Sequence, residues 1–385
     1  MTGPGGAGLT VGELSEEGLL EIIQGALAPA SAPALWPADS VPPGDDAAVV
    51  PAPRGAVVVS TDAMGEGTDF LLMWPAGVRT RGYDAGWKAA AQNLSDINAM
   101  GAISSALVTA LTLPEGTDVA WVRGFARGIA GAIARLGAGG CRAAGGDLGT
   151  GERIQAAVTV LGDPGAGVLE RRPRRAEDRD RLLAEGADLV HCQVLGGLVG
   201  GGPGWAAAGL RLLLTERAEL ERRWDALPAE QRPGAREIAR AVQGQLRPRP
   251  PLAAGPAALA AGVLTLMDVS DGIGRDAHRM ARACGTGASG GRVEDGRART
   301  LTPWVADTWV AEVARPLARV AALAGVAPEA LVLAGGEDYG VVGLAWPETA
   351  LPAGFTRIGR MLPAGAEAPA GHRLLPERGW DHFGG

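Results

Sequence analysis

Apolar positions first fall into a helical rhythm at Leu19, Leu20, Ile22, Ile23 and Leu27, which predicts an amphipathic helix capped by Ser15 with Glu16 and Glu17 in its first turn. A Pro/Ala-rich link runs to about Pro43, and two short apolar stretches, 47–50 and 56–60, then read as strands around a turn at 51–55. Gly44-Asp45-Asp46 precedes the first strand, and Ser60-Thr61-Asp62 ends the second. The spacing predicts a helix over 84–100, with Leu94, Ile97 and Gly101 on one face and Asn93 and Asp96 on another. A strand at 106–113, a helix at 119–136, a turn at Gly145-Gly146-Asp147 and a strand at 154–161 complete a first domain, 10–165.

The pattern then breaks. Residues 170–180 are arginines and acids without apolar periodicity, so 166–186 reads as a solvated linker. A second domain, 187–385, opens with strand-like 189–195 and the glycine-rich loop 196–204. Helical stretches follow at 205–226, 235–245 and 255–262, and a strand at 263–267 runs into Asp268-Val-Ser-Asp-Gly272. Residues 289–303 read as irregular and 312–323 as helix; 331–333 leads into Gly335-Gly-Glu-Asp-Tyr339 and a strand at 340–344. Strands mixed with helices in both halves give the class α/β (α+β).

A chain of 385 residues exceeds the size at which one core stops growing, consistent with two domains. Sixty glycines and 27 prolines approach a low-complexity composition, but 46% hydrophobic residues in recurrent runs indicate an ordered enzyme. The net charge of −7 argues against nucleic acid as a partner, and it means that phosphate handling would need metal ions. Cys141, Cys192 and Cys284 are widely spaced and form no C-x-x-C pair, so neither a disulfide framework nor a zinc site is suggested and a reducing cytoplasm fits. With no signal-peptide pattern at the start and no 20-residue apolar span, a soluble cytoplasmic protein without a membrane partner is expected.

The chemistry lies in acids placed at strand ends and turns: Asp45/Asp46, Asp62, Asp96, Asp147, Asp268/Asp271 and Glu337/Asp338. Each alone is ordinary turn or capping chemistry. Together they matter, because two carboxylates ~4 Å apart repel by roughly 4 kcal/mol at an effective dielectric of 20 and so gather protons or cations. Oxygen-only donors select hard ions such as Mg²⁺, and Mg²⁺ beside glycine-rich turns points to phosphoryl chemistry. Asp96 is the oddest of them, since aspartate competes for backbone hydrogen bonds in mid-helix. Lys88, the only lysine of the chain, opens the same helix and either solvates its start or supplies a compact ammonium. No Walker loop, kinase catalytic loop, serine elbow or paired histidine is present. The 196–204 loop before a helix is a weak candidate phosphate seat, or only a connection.

In order, Gly44-Asp-Asp46, Ser60-Thr-Asp62, Lys88-x4-Asn93-Leu-Ser-Asp96-x3-Met100-Gly-Ala, Gly145-Gly-Asp147, Asp268-Val-Ser-Asp-Gly272, Gly335-Gly-Glu-Asp-Tyr339 and Gly379-Trp-Asp-His-Phe383 resemble the thiamine-monophosphate kinase family. That family belongs to the superfamily of aminoimidazole ribonucleotide synthetase and selenophosphate synthetase. The resemblance implies the two-domain aminoimidazole ribonucleotide synthetase-like fold, an N-terminal mixed sheet with helices plus a C-terminal α/β domain. It implies direct, Mg²⁺-assisted in-line transfer of the ATP γ-phosphate to thiamine monophosphate, in a cleft between the two domains of a homodimer paired through its N-terminal domains. Its metal ligands would be Asp46, Thr61, Asp62, Asp96, Asp147, Asp268 and Asp271, with Asp96 and Asp147 catalytic. ATP would also meet Gly146, Ser270 and Arg171, and Glu337 and Trp380 would face the thiamine moiety.

Three stretches depart from the family. Asp69 stands where a substrate-contacting histidine is usual, making it a candidate substrate residue or a plain loop aspartate. Extra residues occupy 71–87, and Arg171-Arg-Pro-Arg-Arg-Ala-Glu-Asp178 lacks the family's glycines. These leave open another acceptor within the superfamily, or a non-catalytic nucleotide-binding paralogue. A hydrogenase-maturation or selenophosphate-synthetase role is disfavoured, because no cysteine lies near either end.

Overall fold

In the computed structural model the described residues are 9–31, 50, 55–193, 202–285 and 300–379, and they form two compact units. The first comprises Met1–Trp74, Val78–Leu94 and Ser104–Asp163; the second comprises Pro75–Gly77, Ser95–Ile103 and Pro164–Gly385.

The first unit contains helix α1 (Glu16–Ser31), strand β1 (Val58–Gly65), the greater part of helix α2 (Gly82–Ala99), β2 (Ile103–Leu113), α3 (Val119–Arg135), β3 (Arg142–Thr150) and β4 (Gln155–Asp163). Ser15 Oγ accepts the Gly18 N–H at 3.2 Å, the predicted cap of α1. The strands form one sheet in the order β1-β4-β2-β3, with β1 and β4 antiparallel and β2 and β3 parallel, so the sheet is mixed as expected. Leu107, Leu111, Val158 and Val160 of this sheet and Val122, Ile129 and Ile133 of α3 are buried. The opposite face is partly open: Val59 of β1 and Val108 of β2 are 56% and 42% exposed, while Ala106 and Ala144 form a small buried cluster with Leu161.

Helices α2 and α3 approach through glycines. A Cβ on Gly86 would lie 2.0 Å from the Phe125 carbonyl oxygen, and one on Gly128 would lie 2.3 Å from that of Tyr83. Helix α2 ends in a Schellman motif: Gly101 has φ +75, its N–H bonds the Asn98 carbonyl, and the Ala102 N–H bonds that of Ile97.

The second unit adds α4 (Ala176–Glu185), β5 (Ala187–Cys192), α5 (Trp205–Leu214), α6 (Arg217–Ala226), α7 (Ala235–Leu246), α8 (Ala254–Ala260), β6 (Thr265–Asp268) and α9 (Ile273–Cys284). It continues with β7 (Leu301–Ala306), α10 (Asp307–Ala314), α11 (Ala318–Ala324), α12 (Pro328–Ala334), β8 (Val341–Ala345), β9 (Phe355–Pro363) and β10 (His372–Leu374). The sheet order is β10-β7-β9-β5-β8-β6, and each of these pairings is antiparallel, so this unit is of the α+β kind. Its main core joins Leu189, Val342, Leu344 and Ile358 to Trp205, Leu212, Met280 and Val310, while a smaller cluster seats α8 against Val190, Cys192 and Val341.

Two expectations need correction. Residues 166–186 are not a solvated linker: Leu169 packs in the smaller cluster, and Leu182 and Leu183 of α4 are buried in the main core. Four of the arginines there precede α4 and only Arg179 and Arg181 lie on it, so charged residues surround its short apolar face and conceal it from a pattern search. Gly145-Gly146-Asp147 is part of β3, with a register shift beside it, instead of a turn. Among the described residues no single helix is long and apolar enough to cross a membrane.

Candidate functional site

Helix α2 is buried on all sides, as only a helix enclosed by its neighbours can be. From Asp84 to Ala99 every residue is buried except Asp96. Lys88 is 4% exposed and stands one turn after Asp84, itself 7% exposed, so it does not merely solvate the helix start. Asn93 is fully buried; its Nδ2 donates to the Ala89 carbonyl at 2.9 Å and its Oδ1 has no hydrogen-bond partner. The end of the helix docks on α8, where Asn98 Oδ1 accepts the Gly255 N–H at 2.8 Å.

Within the second unit the charge of Asp96 acts on Asp268, the last residue of β6. Burial pushes the Asp268 carboxyl well above the usual carboxylate range; the charges of Asp96 and Asp276 push it further, and Arg171 pulls it back. Asp96, Asp268 and Arg171 therefore share one electrostatic neighbourhood. Arg171 is exposed and its carbonyl faces the Cys284 thiol.

The segment after Asp268 is locked to the Gly335-Gly-Glu-Asp-Tyr339 loop. The Glu337 N–H donates to the Ser270 carbonyl at 2.7 Å, and the Tyr339 N–H to that of Val269 at 3.0 Å. These bonds hold two non-glycine residues at positive φ, Glu337 at +64 and Tyr339 at +51, a conformation that persists only where the surroundings over-determine it. Gln245 of α7, 1% exposed, donates Nε2 to Glu337 Oε2. Asp338 turns the other way: its carboxylate accepts the Gly204 and Ala206 N–H groups and caps α5. Burial pushes its pKa up to about 7 against those two bonds.

That cap corrects the phosphate-seat reading of the glycine-rich loop, because the start of α5 already holds a carboxylate. Residues 196–201 of the loop lie outside the described residues. So do Asp46 and Trp380. Gly379, just before Trp380, lies so near Asp271 that a Cβ would stand 2.3 Å from the Asp271 carbonyl oxygen.

The first unit places the remaining candidates apart. Asp62 shares its face of β1 with buried Met64 and accepts a hydrogen bond from Gln92 Nε2 at 3.0 Å. Thr61 faces the other way and receives the Thr159 hydroxyl at 3.0 Å. Asp147 pairs in register with Ala110 at the far edge of the sheet, three strand spacings or about 14 Å from β1. Within this unit Asp62 and Asp147 therefore cannot share one cation. Gly145 takes φ +130 at the register shift, and Gly146 must be glycine because a Cβ would lie 2.0 Å from the Thr109 carbonyl oxygen. The bulge re-aims Asp147. Asp69 is used locally: its Oδ2 accepts the Gly65 N–H and the Thr68 hydroxyl, both at 2.8 Å, so the residue shapes its own loop.

Among the described residues no three His, Cys, Asp or Glu side chains converge on one metal position. The Asp96/Asp268 neighbourhood still suits a hard cation, since both donors are oxygens and their repulsion is relieved by positive charge. Sequence reasoning missed Gln92, Gln245, Asp276 and Arg279, the last two of which hold Asp271. Only Asp276 carried a signal, an acid in the first turn of a helix directly after the Asp268–Gly272 motif.

Residues 44–163 match the family described as AIR synthase related protein, N-terminal domain. Over 346 residues, 89% of this chain and 85% of the other, the chain is 32% identical to a thiamine-monophosphate kinase of Mycobacterium tuberculosis. Its fold matches the crystal structure of a thiamine-monophosphate kinase from Stenotrophomonas maltophilia with TM-score 0.62 and 25% identity, over 91% of this chain and 94% of that one. It also matches AaThiL complexed with AMPPCP and TMP, with TM-score 0.61 and 24% identity over 97% and 99% of the two chains.

Proposed function

Because the chain belongs to the thiamine-monophosphate kinase family, we propose that it transfers the γ-phosphoryl group of ATP directly to thiamine monophosphate, giving thiamine diphosphate and ADP. At the level of the family it is a thiamine-phosphate kinase, a phosphotransferase with a phosphate group as acceptor. The observation that carries the reading is Asp96, the one residue from Asp84 to Ala99 that is not buried, whose charge acts on Asp268.

Mg²⁺, held by Asp96 and Asp268, would supply charge neutralisation for an in-line transfer between phosphate oxygens. The chain's own residues do the rest. Gly146, whose close approach to Thr109 fixes the backbone there, would offer that backbone to the nucleotide phosphates, with Asp147 aimed by the bulge beside it. Arg171 offsets the acids beside Asp268 and is free at the surface to meet ATP, with Ser270 in the segment tied to the Glu337 loop. Glu337, presented by a strained loop tied to Val269 and Ser270, gives the cationic acceptor a carboxylate. The partly open apolar face around Val59 and Val108 supports a homodimer paired through the first unit.

The experiment is chromatographic detection of thiamine diphosphate and ADP from ATP, Mg²⁺ and thiamine monophosphate with purified protein. Product should form with the native chain, and Asp96→Asn should lower turnover by orders of magnitude while the melting temperature is retained. Absence of product with the native chain would sink the reading.

A further inference from the structure

Asp271, the second acid of the Asp268-Val-Ser-Asp-Gly272 segment, already has a cation. Arg279 of α9 forms an ion pair with its carboxylate, and the same Nη1 donates to Asp276 Oδ1 at 2.9 Å. The Asp276 side chain is 0% exposed, and its Oδ2 accepts the Asp271 backbone N–H at 3.1 Å. Asp276 thus fixes both members of the pair, the aspartate through its backbone and the arginine through its head. Arg279 and Asp276 lie three apart on one helix face, which sets the guanidinium where two carboxylates converge. A guanidinium keeps its charge across the physiological range and presents several donors in a fixed plane, so an anchored one is a permanent counter-ion. A divalent ion arriving at Asp271 would have to displace it. At Asp268 the opposite holds, because among the described residues the cationic group acting on that carboxyl is Arg171, which is exposed.

We propose that Arg279 stands in this chain where a divalent cation would otherwise sit at Asp271. The metal-binding carboxylates of the second unit are then Asp96 and Asp268, and Asp271 is a positioning residue clamped by Arg279 and Asp276. The assignment of metal to Asp96 and Asp268 rests on the reading above, whereas the Arg279 clamp does not.

The test counts Mn²⁺ bound to the nucleotide-free full chain by electron paramagnetic resonance, with thermal melts to confirm that each variant is folded. Arg279→Gln should gain one Mn²⁺ or tighten binding at least tenfold, and Arg279→Lys, which keeps the charge, should match the native chain. Asp271→Asn should bind Mn²⁺ within threefold of the native chain, and adding it to Arg279→Gln should abolish the gain. No gain in Arg279→Gln, or a larger loss in Asp271→Asn, overturns the proposal. Undiminished binding in Asp268→Asn would instead refute the metal assignment at Asp268, leaving the Arg279 variants to decide the clamp on their own.

Discussion

Glu337 shows how a residue is held ready by atoms that a linear reading cannot connect. Its partner Gln245 lies 92 positions away, and the amide oxygen of that glutamine is buried without a partner. Glu337→Gln is therefore a gentle change for the fold, because Gln245 can flip its amide and accept where it now donates. Stability should change by less than about 1 kcal/mol in a denaturant melt, the scale of one net hydrogen bond. The negative charge is lost, so KM for thiamine monophosphate should rise by about tenfold or more with kcat less affected. Asp96 was legible because aspartate is costly in mid-helix. Gln245, Gln92 and Arg279 were not, because their value lies in contacts and their residue types are common everywhere.

Among the elements, α5 is capped by a residue from a distant loop, which links its stability to pH. The folded pKa of Asp338, about 7, lies above the ordinary 3.8, so its contribution is fully present below that lower value and is lost as pH rises through 7. The loss is bounded by about 4 kcal/mol. Unfolding free energies measured between pH 5 and 8 should fall for the native chain and stay flatter for Asp338→Asn. Helix packing gives a second contrast. Gly86→Ala would drive a methyl into the Phe125 carbonyl and should cost about 3 kcal/mol or more, whereas Gly25→Ala, with nothing within 4 Å in α1, should stabilise by about 0.5–1 kcal/mol. Urea melts of the two variants compare these directly. Most helices were legible from periodicity, but β9 was not: Arg357 and Arg360 interrupt its apolar positions. Both pair with Asp188 on the neighbouring β5, a compensation visible only in the folded sheet.

For the whole molecule, length alone implied two units, and the ordered acidic motifs implied the family. The boundary was not legible, because contacts assign the end of α2 and all of α4 to the second unit. The partly open sheet face was legible only as ordinary strand alternation, since Val59 and Val108 look like core residues until their exposure is known. A charge there should oppose pairing of two copies: Val59→Asp is expected to convert a dimer to a monomer in sedimentation, and unchanged mass would place the interface elsewhere. Lys88, the sole lysine of the chain, lies within the buried helix that carries Asp96. A lysine-specific protease thus has one target bond, hidden in the native state, and its cutting rate under gentle conditions reads the opening of that helix without any introduced label.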